Sequence, residues 1–250
     1  MLVVAILAVL CTVFILPEFG RPRHASRANC QNNLKQIGLA YRTWEGDYGD
    51  RYPQALTGTR EFPNGTSGTC FLPDLWAPTT GLSSRGAPLT SISQPWMVYR
   101  VMQNELNNPK IIICPADDSH TITPNADFTG TPAAPFNNSN CSYFVGRDAD
   151  ETYPAMMLSG DRNMCLSSNQ ANLPNGAYGY SPASGPLGWI VALGTNARPG
   201  WTAKMHKGAG NVGLADGSVQ QTSSASLQRL VSRNGDTNSA SSGQNWLLFP

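Results

Sequence analysis

Between His24 and Tyr48 the chain reads HASRANCQNNLKQIGLAYRTWEGDY, and its apolar residues Cys30, Leu34, Ile37, Tyr41, Trp44 and Tyr48 recur at intervals of 4, 3, 4, 3 and 4. That spacing draws one apolar stripe along a helix, as expected of a helix lying on a flat surface. Gln31, Lys35, Arg42 and Glu45 fall on the opposite, polar face. Gly38 sits mid-helix, where glycine costs about 1 kcal/mol relative to alanine, tolerable in a helix held by packing. The aromatic residues of the stripe read as core packing.

Toward the N-terminus, Pro17, Gly20 and Pro22 interrupt the helical pattern. Ahead of them, residues 2–16 read LVVAILAVLCTVFIL, without a charge. As a helix this run spans about 22 Å, short of the roughly 30 Å hydrocarbon core of a bilayer. A cleaved signal peptide would want a positive n-region and an A-x-A site, and neither is evident. A buried core helix would want a polar face. The remaining reading, a membrane helix that begins upstream of Met1, is the expectation. Arg21, Arg23, His24 and Arg27 follow as a basic juxtamembrane cluster. Alone they would sit on the cytoplasmic side, a bias that a Lys/Arg-rich leader upstream would weaken.

Toward the C-terminus, residues 49–109 are rich in Pro, Gly, Thr and Ser and read as a long irregular insertion. Within it, Ser93-Gln94-Pro95-Trp96 opens a helix expected to run to about Asn107. Ile111–Ile113 reads as a short strand stopped by Cys114-Pro115, and residues 116–142 as loop. Short strands are also expected at Met156–Ser159 and Trp189–Leu193. The clearest local element is a hairpin, Asn211–Ala215 and Ser218–Thr222, turning on Asp216-Gly217. Val212 and Leu214 share one of its faces, and Val219 follows across the turn. Ser224 then caps a short helix carrying Leu227, Leu230 and Val231.

The segments add up to an α+β chain: a long N-terminal helix, hydrophobic then amphipathic, packed on a small antiparallel sheet with long loops. Residues 1–23 form the apolar helix and basic segment, and 24–250 the head. The head divides into the amphipathic helix (24–48), the insertion (49–109), the sheet region (110–232) and a tail (233–250). Charged residues make up only 13% of the chain, against a usual quarter or so, while 24 glycines and 19 prolines imply much turn and loop. This composition fits an exported protein better than a cytosolic enzyme, and a net charge of +1 offers no field for nucleic acid. None of the six cysteines forms a C-x-x-C pair. Cys11 lies in the apolar run. Cys30, Cys70, Cys114, Cys141 and Cys165 could supply two disulfides in an oxidising compartment or remain buried thiols, with the pairing open.

Two stretches carry a family resemblance. LVVAILAVL followed by RANCQNNLKQIGLAYRTWEGDYGDRYP resembles the N-terminal helix of type IV pilin-like proteins, specifically the pseudopilin-like proteins abundant in planctomycete- and verrucomicrobia-type bacteria. KMHKGAGNVGLADGSV, in which His206 precedes Asp216-Gly217 by nine residues, matches the same family's C-terminal motif. Ile113-Cys114-Pro115 with Asp117, Ser142-Tyr143, and Leu158–Asp161 with Asn163 look like its intermediate landmarks. The resemblance covers about residues 1–53 and 110–232. It implies a pilin-like fold and a single-pass subunit of the bacterial inner membrane, its head facing the periplasm or exterior. It further implies a role in a type II secretion or type IV pilus-like assembly, with other pilin-like subunits and secretion-assembly components as partners. Prepilin peptidase would be a partner if a leader lies upstream, and the cleavage and methylation motif, of the Phe-Thr-Leu-Ile-Glu type, would sit immediately before Met1.

His206, Asp216 and Asp161 invite a catalytic reading, but no G-x-S-x-G elbow and no local Cys–His pairing accompanies them, so no enzyme activity is expected. Asp216 and Gly217 suit a tight turn, and His206 could pin the loop Lys207–Gly210 across the hairpin base. Asp161, Asn163 and Asp216 could together hold calcium, the one cofactor considered. A different class of function, an anchored extracytoplasmic module binding glycan or a surface layer, would use Trp76, Trp96, Trp189, Trp201 and Trp246 as stacking platforms.

Overall fold

The computed structural model describes residues 23–55, 95–117, 127–128, 130–131, 134–147, 149–165, 189–233 and 244–250. The apolar run 2–16, and with it the expected membrane helix, lies outside them. Among the described residues no helix is long and apolar enough to cross a membrane.

The amphipathic stretch forms a helix over Arg23–Asp47. Cys30, Leu34, Ile37, Tyr41 and Trp44 are buried as the spacing predicts, joined by Ala40, while Tyr48 is half-buried. Glu45 departs from its assigned polar face and is buried beside the segment bearing Glu151. Burial first, then a hydrogen bond and repulsion from Glu151, push its carboxyl up to about 7. Below the helix end, Tyr52 meets Tyr41 edge to face and donates its hydroxyl to the Ala215 carbonyl at 2.9 Å.

The helix lies on a mixed α+β body whose main sheet has six antiparallel strands. In chain order these are β3 (Tyr143–Gly146), β4 (Met157–Asp161), β6 (Trp189–Gly194), β8 (Ala209–Leu214), β9 (Val219–Ser223) and β10 (Gln244–Phe249). Their spatial order is β6-β10-β3-β4-β8-β9. Two small two-stranded ladders stand apart, β1 (Gly130–Thr131) with β2 (Ala134–Pro135) and β5 (Met164–Cys165) with β7 (Gly200–Trp201). Alternation along each strand feeds two cores. Tyr143, Val145, Leu158 and Leu248 join the long helix. Phe144, Met157, Val212, Leu214, Leu247 and Phe249 face the other way, under the helix Ser224–Arg233 with its buried Leu227 and Val231.

Several expectations are corrected. Residues 111–113 form no strand: Pro109–Ile112 is a 3-10 turn, because Pro109 presets its first position and the Asn108 side chain caps Lys110 N at 3.0 Å. The helix expected to run through to Asn107 is two pieces, Pro95–Val101 and Gln103–Leu106. Tyr143–Gly146, which follows the loop read over 116–142 and carries no expected element, is an inner strand, and the residues read as a tail contribute β10 between β6 and β3. In the hairpin, Val219 pairs with Gly213 and packs with the long-helix core, so it does not extend the Val212–Leu214 face. The last helix is capped by Ser223, whose Oγ accepts Ser226 N at 3.3 Å, while Ser224 Oγ accepts Trp201 N at 2.9 Å.

The hairpin turn docks on the long helix. Gly217 has φ +83°, and a Cβ there would also come within 3.1 Å of Arg42 Nε. Its partner Gly38 is different: a Cβ there would meet Gly217 Cα at an ordinary 3.7 Å. Gly38→Ala is therefore expected to raise stability by about 0.5–1 kcal/mol, read as a higher urea midpoint at unchanged slope.

Candidate functional site

Four polar side chains from four separate segments meet beneath the long helix. Cys30 comes from the helix, Cys114 follows the 3-10 turn, Asp161 ends β4, and His206 precedes β8. All four are buried, and one donor atom from each lies within 4.8 Å of the others. Cys30 and Cys114 form a disulfide with Cα atoms 5.2 Å apart. Cys114 Sγ lies 3.4 Å from His206 Nε2, which in turn lies 3.4 Å from Asp161 Oδ2.

The surroundings fix this geometry. Asp161 Oδ2 accepts Asn211 N at 2.7 Å and Asn211 Nδ2 at 2.9 Å across the β4–β8 ladder, while Oδ1 is buried without a hydrogen-bond partner. Met205 and Lys207, on either side of His206, have φ of +56° and +53°, a conformation costing about 1–2 kcal/mol per residue. Two neighbours hold that loop. Asn163 Nδ2 reaches the carbonyls of Thr202, Lys204 and Ala209, and Arg27 Nη2 donates to the His206 carbonyl at 2.6 Å. Nearby, Arg162 clamps Asp117 through two charged hydrogen bonds of 2.6 and 2.9 Å, both side chains buried.

Burial sets the charges. It raises the Asp161 carboxyl to about 7 against the hydrogen bonds from Asn211, and it lowers the His206 imidazole to about 4, helped by Arg27. His206 is thus a neutral imidazole near pH 7. Because the folded chain holds the Asp161 proton more tightly than the unfolded chain does, this residue favours folding below about pH 4 and loses that contribution as pH rises toward 7. Glu45 acts in the same direction and His206 in the opposite one, its cost appearing as pH falls from 6.5 toward 4. Asp161→Asn removes only the first effect. The variant is expected to gain about 1–3 kcal/mol on the wild type between pH 5 and pH 8, measured by urea unfolding at both.

The motif residues are not all brought together. His206 joins Asp161, whereas Asp216 lies on the exposed turn with its Oδ1 on Ser218 N at 2.8 Å. Asp161 stands across from Asn211, and Asp216 is five residues further along that chain, well over 10 Å at a strand's rise. Asp161, Asn163 and Asp216 therefore cannot share a calcium ion. Asn163, not His206, gathers the Lys207–Gly210 loop. Arg27, read as part of the basic juxtamembrane cluster, donates to the His206 carbonyl. Cys141 and Cys165 are buried, and Cys70 lies outside the described residues.

The tryptophans form no common platform among the described residues. Trp201 is buried with its ring over Gly210, where a Cβ would come within 2.6 Å. Trp96 is half-buried against Phe136, and Trp246 lies 4.7 Å below the Arg147 guanidinium. Trp76 and the Trp189 side chain fall outside the description.

The sequence hid the Cys114–His206 contact because 92 residues separate the pair. No family model, no curated protein and no solved structure matches the chain.

Proposed function

We propose that the chain is a pseudopilin-like structural subunit of a type II secretion or type IV pilus-like assembly, with no catalytic step of its own. The observation that carries this reading is the helix Arg23–Asp47, laid along an antiparallel sheet and preceded within a few residues by the uncharged run 2–16. In such a subunit the apolar helix exchanges lipid contacts for packing against its neighbours, while the head stays in the aqueous phase. The cluster of Cys114, His206 and Asp161 weighs toward a structural role as well. In the oxidised chain its sulfur is held in a disulfide and all three side chains are buried, an arrangement suited to cross-linking segments.

Intact mass and N-terminal sequencing of the protein from its native membrane test the reading. A mature N-terminus a few residues upstream of Met1, beginning with an N-methylated aromatic residue, is the expected result. A start at Met1, or cleavage beyond Leu16, overturns it and favours the anchored glycan- or surface-layer-binding module.

A further inference from the structure

We infer that Cys30, Cys114, Asp161 and His206 constitute a tetrahedral zinc site whenever the two cysteines are thiols, so that the same four residues are cross-linked either by the disulfide or by the ion. This inference stands independently of the assembly role.

The donor set is the first argument. Two sulfurs, an imidazole nitrogen and a carboxylate oxygen converge from four segments onto one buried point. Zinc takes S and N or O ligands at about 2.3 and 2.0 Å in a tetrahedron, whose edges then measure about 3.3–3.8 Å. The Cys114 Sγ–His206 Nε2 and His206 Nε2–Asp161 Oδ2 separations, both 3.4 Å, already match such edges. The two sulfurs must part by about an ångström or two once their bond is broken, and the remaining edges, all within 4.8 Å, close by side-chain motion of about an ångström at most.

The second argument is what a disulfide alone leaves unexplained. A cystine needs no histidine or carboxylate beside it, yet Asp161 is fully buried there with Oδ1 lacking any hydrogen-bond partner. Burying a carboxylate with so little charge compensation is expensive, and a divalent cation on Oδ2 would offset the charge, although Oδ1 would still lack a hydrogen bond. Asn211, with both its N–H groups on Asp161 Oδ2, holds that carboxylate in place as outer groups do around metal ligands.

The chemistry balances. A dithiol reductant transfers two electrons and two protons to the disulfide, becoming a disulfide itself and leaving Cys30 and Cys114 as thiols. Zinc then binds as both thiols ionise, and the two protons leave to solvent. In the reverse direction a small-molecule disulfide takes two electrons from the two thiolates and two protons from solvent, becoming a dithiol, while the Cys30–Cys114 bond re-forms and the ion is released.

Cobalt is the probe, because its thiolate complexes are coloured. The full chain, reduced, freed of reductant and kept anaerobic, is titrated with Co²⁺. The expected result is one Co²⁺ per chain, with thiolate-to-metal charge-transfer bands and the intense visible bands of tetrahedral coordination. Equimolar Zn²⁺ should abolish them, and the oxidised chain should show none. Cys30→Ser with Cys114→Ser is expected to remove the bands, whereas Cys70→Ser keeps them. His206→Gln keeps both thiolates and is expected to weaken binding at least tenfold. If the reduced, metal-free chain unfolds, zinc should restore its far-UV circular dichroism. Bands that survive loss of Cys30 and Cys114, or a reduced chain in which neither metal produces bands or refolding, would overturn the assignment.

Discussion

Reducing the Cys30–Cys114 disulfide in the presence of a chelator should lower the free energy of unfolding by about 4–5 kcal/mol. The bond closes a loop of 84 residues, and the chain-entropy relation assigns about that much to a loop of this length. A domain's whole stability is on the order of 5–15 kcal/mol, so this one bond decides whether the head stays folded in mild denaturant. Cys30 lies on the inner face of the long helix, and Cys114 is joined to the sheet by the Ser142 N to Ile112 carbonyl hydrogen bond at 2.9 Å. Losing the bond therefore loosens the helix against the sheet, and a Cys30→Ala, Cys114→Ala variant should behave like the reduced chain. Urea titrations of oxidised and reduced protein measure the difference. Coincident curves would mean that the unfolded chain keeps those segments together without the bond.

Arg162→Met should cost about 3–5 kcal/mol, because it leaves the Asp117 carboxylate buried without its guanidinium. The pair is sealed, with 3% and 0% of the two side chains exposed, so water cannot replace the missing partner. Replacing both residues, Arg162→Met with Asp117→Leu, should recover most of the loss, since an apolar pair needs no desolvation of charge. A double-mutant cycle read by urea unfolding gives the coupling. Equal losses in the single and double variants would show that the pair acts through packing and not through charge.

How much of this was legible in the sequence follows from the range of each signal. The helix stripe and the Asp216-Gly217 turn are periodic or local, and both appear where expected. Tyr143–Gly146 and Gln244–Phe249 gave no alternation to read, because inner strands covered on both faces are apolar at successive positions. Ile111–Ile113 gave a false strand signal, because β-branched residues say nothing of whether a sheet edge is within reach, and Pro109 had already set the turn. At the site, the residue types were visible but not their partners. His206 stands ten residues from Asp216 in sequence and yet lies 3.4 Å from Asp161, because a strand carries the two ends of that motif apart. Glu45 fell on the polar face by spacing and is buried, hydrogen-bonded to Glu151 from a segment 106 residues away, which no local pattern encodes.

The position of β10 has a consequence for synthesis. Gln244–Phe249 fills the slot between β3 and β6, strands that emerge from the ribosome far earlier. Until Phe249 is out, β6 has no neighbour in the sheet and β3 shows a bare edge, an invitation to pairing with another nascent chain. The head thus folds as a closing act, after translation has passed its last strand, and a chaperone that shields β3 and β6 during that interval would protect the yield more than one acting on the helix.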